Sequence, residues 1–553
     1  MPRKRILRFI LYFFLAIAVG FVCIQLSFTF YFNNQIKTEL QAELSKQSHG
    51  EYELKIDRLN TNIFNQSVFL SGFLLNPVRN INVTAPKYFA AAGEINLIDF
   101  KLLSFLLKKD LIVERMELLN PSGNIFRSPH AYYKSSADTS RKFSLYNLLS
   151  RSIHSLTIKK IEISNADIKV YDDVRDTLPS ISSKDNSLRI SNFKINESAE
   201  KTGRLFLADK VDLEIKKFSY TTKDSLYSIK VKKLFASYTD SILSLYDVQV
   251  IPNYNKKEFA EEAGKQTDRM KISILKTAFN KINIKLFFER NWFIAEQVII
   301  DSLNISAYRD KNDADTHVRI KSIQELVKSI PVYTAIESVQ LNHSLITYEE
   351  VGIGSTKPGK IAFNNLDALI TGLTNDTTLF SAVRVLNIHA TCEFMNQGKL
   401  QAHYSFPMNT NKMVFDCSGK LSNMPLQAVN PMLEPNANVL IKAGVIDSMV
   451  FSFHANEIES KGKMKLIYHN LQMEFLNKKN KKTGAFQDVL SFLAHRLVIK
   501  EENPSKNEPS RITEINYPWD GYHFIFNYSW KSILSGIKPA IGIPTLKSGK
   551  EKK

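Results

Sequence analysis

Four stretches of this chain share one spacing of apolar residues, and that spacing limits the backbone more than any other feature. They read Met116-Glu-Leu118-LNPS-Gly123-Asn-Ile125, Ile161-Glu-Ile163-SNAD-Ile168-Lys-Val170, Val298-Ile-Ile300-DSLN-Ile305-Ser-Ala307 and Val339-Gln-Leu341-NHSL-Ile346-Thr-Tyr348. Offsets 0, 2, 7 and 9 are apolar, with Gly123 the weakest match, and the four residues between the pairs are mostly polar or small. On a helix, offsets 0 and 7 would share one side while 2 and 9 fell nearly opposite, so no single apolar stripe would form. A straight strand fails too, because the parity changes between offsets 2 and 7. A hairpin about the four-residue connection sets 2 against 7 and 0 against 9, and directly opposed residues share a face. That is the favoured reading; a bulge that restores phase within one strand is the alternative.

Either way the four apolar positions line one surface. Ile161, Ile163, Ile168, Val170, Val298, Ile300, Ile305, Val339, Leu341 and Ile346 are its candidate lining residues, and their β-branched enrichment agrees with strand. Each copy also follows an amphipathic helical pattern: Leu102/Leu103/Leu106/Leu107, Leu145/Leu148/Leu149/Ile153, Ile274/Leu275/Ala278/Phe279/Ile282 and Ile323/Leu326/Val327/Ile330. Ser322 with Glu325 forms a capping-box signature for the last. The third copy reads as carrying an insertion near Phe287 to Trp292. Between the second and third copies the chain is strand-like, as in Val211-Asp-Leu213-Glu-Ile215. Two strands end at proline, Val68 to Pro77 and Leu243 to Pro252. The alternation suits a sheet with one dry and one wet face, in an array that grows in one dimension.

The N-terminus imposes a second constraint. An apolar run from Phe9 to Ile24 continues to Phe32 and follows Arg3, Lys4, Arg5 and Arg8. It is long enough to span a bilayer and lacks the small-x-small closure of a cleaved signal. The expected anchor residues are Phe9, Leu11, Phe14, Val19, Phe21, Ile24, Phe28 and Phe32. The basic stub would stay cytoplasmic, placing the rest of the chain outside the cytoplasm.

The net charge of +18 is spread over short stretches, with runs at Lys478-Lys479, Lys481-Lys482 and Lys547 to Lys553. Such runs read as solvated faces or as attraction to anionic lipid headgroups; an outward-facing chain argues against nucleic acid. Of three cysteines, Cys23 lies in the anchor, and Cys392 and Cys417 could form one disulfide. The chemistry-bearing motifs point away from an enzyme. The eleven histidines are scattered, without HExxH or paired CxxC spacing, and His389 and His403 flank Cys392. There is no GxSxG elbow or phosphate loop, and Gly352-Ile-Gly354 lacks the rest of a nucleotide fingerprint. Asp172-Asp173 and Glu349-Glu350 are adjacent carboxylates, which on a strand point to opposite faces. A metal, a cofactor and a catalytic site are therefore not expected.

From about Asn438 the strands lengthen, and helical stripes follow at Phe486, Val489, Leu490, Leu493 and Leu497 and at Trp530, Ile533, Leu534 and Ile537. These read as helices packed on the sheet end or as a cap over its edge. The anchor, the Val68-to-Pro77 strand, the repeated strand-turn-strand units and the closing block from Gly444 to Lys538 resemble a bacterial AsmA-like protein, related to the TamB-type envelope proteins. The most specific matches are Gly462-Lys-Met-Lys-Leu-Ile-Tyr-His-Asn-Leu471 and Phe526-Asn-Tyr528-Ser-Trp530-Lys-Ser-Ile533-Leu-Ser-Gly536. The resemblance covers most of the chain. It implies a β-groove projecting from the bacterial inner membrane into the periplasm and concerned with phospholipid movement toward the outer membrane.

The expected architecture is mostly β with short amphipathic helices: an elongated, curved, repetitive, groove-like sheet plus one N-terminal transmembrane helix. Its parts are a basic stub (1–8), the anchor (9–32), a repetitive β-groove region with interspersed helices (33–437), an AsmA-like β/helix region (438–545) and a basic tail (546–553). The expected partners are phospholipid, the inner membrane and an outer-membrane or envelope protein. The alternative function is an anchored scaffold that assists outer-membrane protein assembly without lipid cargo. For the lining residues themselves, the alternative to a groove is a closed core against the amphipathic helices.

Overall fold

A computed structural model describes residues 33–78, 86–127, 154–173, 175–201, 205–313, 319–376, 384–476, 499–522 and 524–543, with 19, 20, 22 and 25. The protein is mostly β, one mixed sheet of 22 strands with a few short helices. It divides into two compact units, Met1–Thr221 with Val231–Asp240, and Thr222–Lys230 with Ser241–Lys553.

The first unit holds α1 (Asn33–Gln47), β1 (Tyr52–Lys55), β2 (Arg58–Asn62), β3 (Ser67–Pro77), β4 (Lys87–Phe100), α2 (Leu102–Lys108), β5 (Asp110–Leu119), β6 (Ser122–Phe126), β7 (Ser155–Tyr171), β8 (Ile181–Ile195), α3 (Glu197–Lys201) and β9 (Lys210–Thr221). β10 (Tyr227–Ser237) is divided between the units. The second unit holds β11 (Ile242–Pro252), α4 (Glu258–Ala263), β12 (Arg269–Asn280), α5 (Ile284–Arg290), β13 (Trp292–Asp310), α6 (Ile323–Lys328), β14 (Tyr333–Val351), β15 (Gly359–Thr374), β16 (Val385–Phe394), β17 (Gly398–Pro407), β18 (Phe415–Leu421), β19 (Met424–Pro425), α7 (Asn430–Ala437), β20 (Val439–Ala455), β21 (Glu459–Phe475), β22 (Ile512–Pro518) and α8 (Ile525–Ala540).

Antiparallel pairing is interrupted at two described places. β5 and β6 run parallel to β7, and β13 runs parallel to β14. These pairs bring the repeats together offset by offset. Met116 faces Ile161, Leu118 faces Ile163, Gly123 faces Ile168 and Ile125 faces Val170. In the same way Val298, Ile300, Ile305 and Ala307 face Val339, Leu341, Ile346 and Tyr348.

The repeats are not hairpins. Three lie within one strand each (β7, β13, β14), and the first is interrupted only at Asn120 and Pro121. The residue at offset 4 supplies the phase shift: Asn120, Asn165, Ser302 and His343 have φ of 51°, 55°, 55° and 49°. One left-handed residue adds one position to the strand, so offsets 7 and 9 return to the face of 0 and 2. Neighbouring strands answer the bulge. The β7–β8 register shifts between Ile163 and Ile168 where Asp185 has φ 56°, and the β14–β15 register shifts between Leu341 and Ile346 where Asn365 has φ 46°.

The helices repeat as well. α2 and α5 each span seven residues and close on a left-handed residue, Lys109 or Asn291, directly before β5 or β13. The residue before each helix bonds to the following strand in the same way, Lys101 N–H to the Ile112 carbonyl at 2.8 Å and Asn283 N–H to the Ile294 carbonyl at 2.9 Å. The Ser322–Glu325 capping box is formed on α6. The helix expected over Ile274 to Ile282 is strand β12 as far as Asn280, with Ile282 in the connection to α5, and the stretch read as an insertion at Phe287 to Trp292 is the second half of α5 and the start of β13. Leu275 there is skipped in the pairing between Ile274 and Lys276 and is exposed, so its apolar spacing imitates a helix.

The stripes Leu145 to Ile153 and Phe486 to Leu497, the runs Lys478-Lys479 and Lys481-Lys482 and the basic tail lie outside the described residues. So do the anchor residues apart from Val19, which is helical and 55% exposed. Among the described residues no helix is long and apolar enough to cross a membrane. Cys392 and Cys417 are free, buried, and on β16 and β18 with β17 between them, so the disulfide that the sequence allowed is not formed.

Candidate functional site

The sheet pairing converts the repeats into apolar rows that cross many strands. In the first unit, Val68, Leu97, Met116, Ile161, Ile190 and Val211 are successive cross-strand partners over β3, β4, β5, β7, β8 and β9. Two positions along the strands, Leu70, Ile95, Leu118, Ile163, Leu188 and Leu213 form a second row. Opposed residues share a face, and five gaps of about 4.8 Å give each row a run of about 24 Å. All twelve side chains are half-buried. The small buried cluster of Phe100, Val113 and Ile158 packs at one margin of this face, against Val68, Leu97, Met116 and Ile161.

The other face of the same strands is charged. Glu117, Glu162, Arg189 and Asp212 are consecutive partners across it. Ion pairs run along the strands between residues two apart: Arg115–Glu117 at 3.3 Å, Lys160–Glu162 at 2.7 Å and Lys216–Glu214 at 2.9 Å. The ammonium of Lys160 beside Glu162, and of Lys216 beside Glu214, hold both carboxyls below their usual range. The strands thus carry one apolar and one ion-paired face, the alternation of a sheet with a dry and a wet side.

In the second unit a longer row passes through nine strands: Leu243, Phe279, Val298, Val339, Ile370, Ile388, Tyr404, Cys417 and Phe453. Its covering changes along its length. Leu243, Phe279, Val298 and Val339 lie outside the main core. Ile370, Ile388 and Tyr404 pack against that core, and Cys417 and Phe453 are inside it, together with Val327 of α6 and Tyr528 and Ala540 of α8. The next row narrows to Ala368, Ala390, Ala402 and Gly419 before Phe451. A Cβ at Gly419 would overlap the Phe451 ring.

The ten candidate lining residues are thus all on strands, in two sets. Ile161, Ile163, Ile168 and Val170 follow one another on β7; Val298, Ile300 and Ile305 oppose Val339, Leu341 and Ile346 across the β13–β14 pair. Their exposure differs. Val170, Val298 and Val339 are buried at 7%, 4% and 7%, Ile168 is 42% exposed, and the remaining six are half-buried. Reading the sequence alone missed their partners Val68, Leu97, Ile190, Val211, Leu243, Phe279, Ile370 and Ile388. The apolar/polar alternation of β8, β9 and β12 carried the signal, but their register did not.

The adjacent carboxylates are engaged with cations: Asp172 with Arg127 at 3.3 Å, Asp173 with Arg175 at 2.8 Å, Glu349 with Lys256 at 2.6 Å and Glu350 with Lys311 at 2.6 Å. Among the described residues no group of three or more His, Cys, Asp or Glu is arranged to hold a metal ion. Comparison with known proteins finds no matching family model and no matching curated relative.

Proposed function

We propose that this chain is an inner-membrane-anchored, periplasmic protein of AsmA-like kind that binds or conducts phospholipid along the apolar face of its sheet, in support of outer-membrane biogenesis. One observation carries the reading: in the first unit two apolar rows cross six strands half-buried, while the reverse face is ion-paired. Acyl chains would lie on the rows and headgroups would remain at their margin in water. The single bulge in each repeat supports this reading, since it keeps every apolar residue on one face and bends the strands, as a curved, elongated groove requires. The anchor from Phe9 to Phe32 would fix one end at the inner membrane, with the N-terminus cytoplasmic.

The test uses full-length protein purified in mild detergent. Photocrosslinking residues placed at Ile163 and Ile300 should capture phospholipid, and Ile163→Asp and Ile300→Asp, checked for folding by circular dichroism, should lose most of it. Folded aspartate variants that crosslink lipid as well as the parent would overturn the reading. A preparation free of phospholipid that retains a stoichiometric envelope protein would favour the scaffold instead.

A further inference from the structure

The polar face of the second unit carries a hollow of about 1000 Å3 that the apolar rows do not use. Two rows of outward side chains flank it. Leu369, His389, His403, Ser418 and Ser452 are successive partners across β15, β16, β17, β18 and β20, and Asp367, Thr391, Gln401, Lys420 and Val450 run beside them. The small residues Ala390, Ala402 and Gly419 between the rows leave backbone as the floor.

Three observations define what such a hollow can hold. The imidazoles of His389 and His403 stack at 4.0 Å between centroids and 17° between planes. Nε2 of His403 is buried with no hydrogen-bond partner, a state that costs free energy unless a ligand satisfies it. Lys420 forms no ion pair among the described residues, and from β18 it is the diagonal neighbour of His403, within reach of a shared ion. Hydroxyls of Thr391, Ser418 and Ser452 and the amide of Gln401 add donors. The one carboxylate lining the hollow, Asp367, accepts the His343 backbone N–H at 2.9 Å.

We propose that this hollow binds a phosphate-class oxyanion between Lys420 Nζ and the His403 imidazole, which turns to bring its buried Nε2 to the hollow, with the organic body resting on the exposed side chain of Val450 beside Lys420. The site is on the face opposite the apolar rows and does not depend on their function. Burial, and then His389, push the His403 ring below the usual histidine range in the empty site. An anion reverses that balance, because a protonated ring supplies a charged N–H donor. Anion binding therefore takes up a proton and tightens as pH falls.

The charged and titratable groups around His403 are few. β16 contributes His389, β18 contributes Lys420 and, one row away, Asp416, which pairs with His454 of β20 at 2.9 Å. β14 contributes His343 and β15 contributes Asp367, both lining the hollow, and β21 contributes Lys463 opposite Ser452. α6, which also packs on β17, has Val327 in the core on the apolar side, Glu325 bonded to Arg319 and Lys328 bonded to the Thr410 carbonyl.

Sulfate is the probe, since it stays dianionic across the range and any pH dependence then belongs to the protein. Calorimetric titration of the full-length protein in detergent should give binding that weakens as pH rises through the range in which the bound ring loses its proton, with a slope of at most about tenfold per pH unit, the limit for one proton taken up. Lys420→Met, at an exposed position, should weaken binding at every pH and keep the slope; His403→Gln should abolish the slope. Displacement of sulfate by glycerol 3-phosphate would identify a free phosphomonoester as the natural ligand; displacement only by lysophosphatidate would identify a lipid headgroup. No binding at about 10 mM sulfate, or binding unchanged in both variants, would overturn the site.

Discussion

The strands β3–β9 and the strands β15–β22 are built from the same kind of apolar row and differ in what covers it. In the first set Ile161, Ile163, Ile190 and Val211 stay half-buried, and full burial is confined to a small cluster around Phe100, Val113 and Ile158. In the second, α6, α7 and α8 close over the sheet. Phe406, Phe415, Met408, Met413 and Tyr528 lose all or nearly all contact with water. α8 shows why. Its Tyr528, Ser532, Gly536 and Ala540 form a buried stripe, with Gly536 against Met464 and Ile515. Ser532 Oγ lies 2.7 Å from Ser460 Oγ of β21. A row under such a helix is a core; among the described residues the rows of the first unit have no such helix and stay half-buried.

Truncating an aromatic in the covered region should expose this difference most strongly. Phe415 has ring neighbours Phe406 and Tyr528, each at 5.7 Å, and Phe453 at 6.1 Å. Phe415→Ala should cost about 3–5 kcal/mol, the transfer term plus the cavity it leaves. Ile163→Ala leaves no closed cavity and should cost about 1 kcal/mol or less. Denaturant midpoints of the two variants measure the contrast. Equal losses would mean that the face around Ile163 is as closed as the core around Phe415.

Thiol chemistry sharpens the same comparison. Burial pushes the Cys417 thiol up to about 12 and that of Cys392 up to about 11. With Cys23 replaced by serine, both should ignore a maleimide in the native protein, whereas a cysteine introduced by Ile163→Cys should react. A difference of about a thousandfold at neutral pH follows from the thiolate fractions alone, before access is considered.

The residues that made this contrast legible in the sequence are those at offsets 0, 2, 7 and 9. Their spacing required a common face, and the structure delivers one. The device was misread because hairpin and bulge satisfy the same parity. What separates them is offset 4, where Asn120, Asn165, Ser302 and His343 stand: three of the four are Asn or His, which tolerate the left-handed region better than most residues. Parallel pairing was not legible, since nothing local in Val298 or Val339 specifies its partner. The helix α8 was legible, but the stripe expected on it, Trp530, Ile533, Leu534 and Ile537, is half-buried, and the fully buried face is that of Tyr528, Ser532, Gly536 and Ala540, whose small and polar side chains carry no apolar signal.

The bulge gives a smaller test. Asn165→Val forces a β-branched residue to φ near 55° and removes the 3.2 Å contact of the Asn165 amide with the Asn120 side chain. A loss of about 1–2 kcal/mol is expected. Asn165→Gly keeps the conformation and should stay within about 0.5 kcal/mol. If valine were tolerated as well as glycine, the phase shift at offset 4 would not be what holds Ile163 and Ile168 on one face.

The charged reverse of the first unit should yield the least. Glu162 and Glu214 have carboxyls held low by Lys160 and Lys216, so their contribution is present above the unfolded carboxylate value and is lost as pH falls through the lower folded value. The lysine partners are 48% and 43% exposed, so solvent screening reduces each pair to a few tenths of a kcal/mol. Glu162→Gln should therefore shift thermal stability slightly in dilute buffer at pH 7, and not at all in about 1 M salt, where screening removes the pair. A loss as large as that of Ile163→Ala, persisting in salt, would make the ion-paired face and not the apolar rows the main stabiliser of these strands. The apolar face would then be free to hold a ligand without being needed to hold the fold.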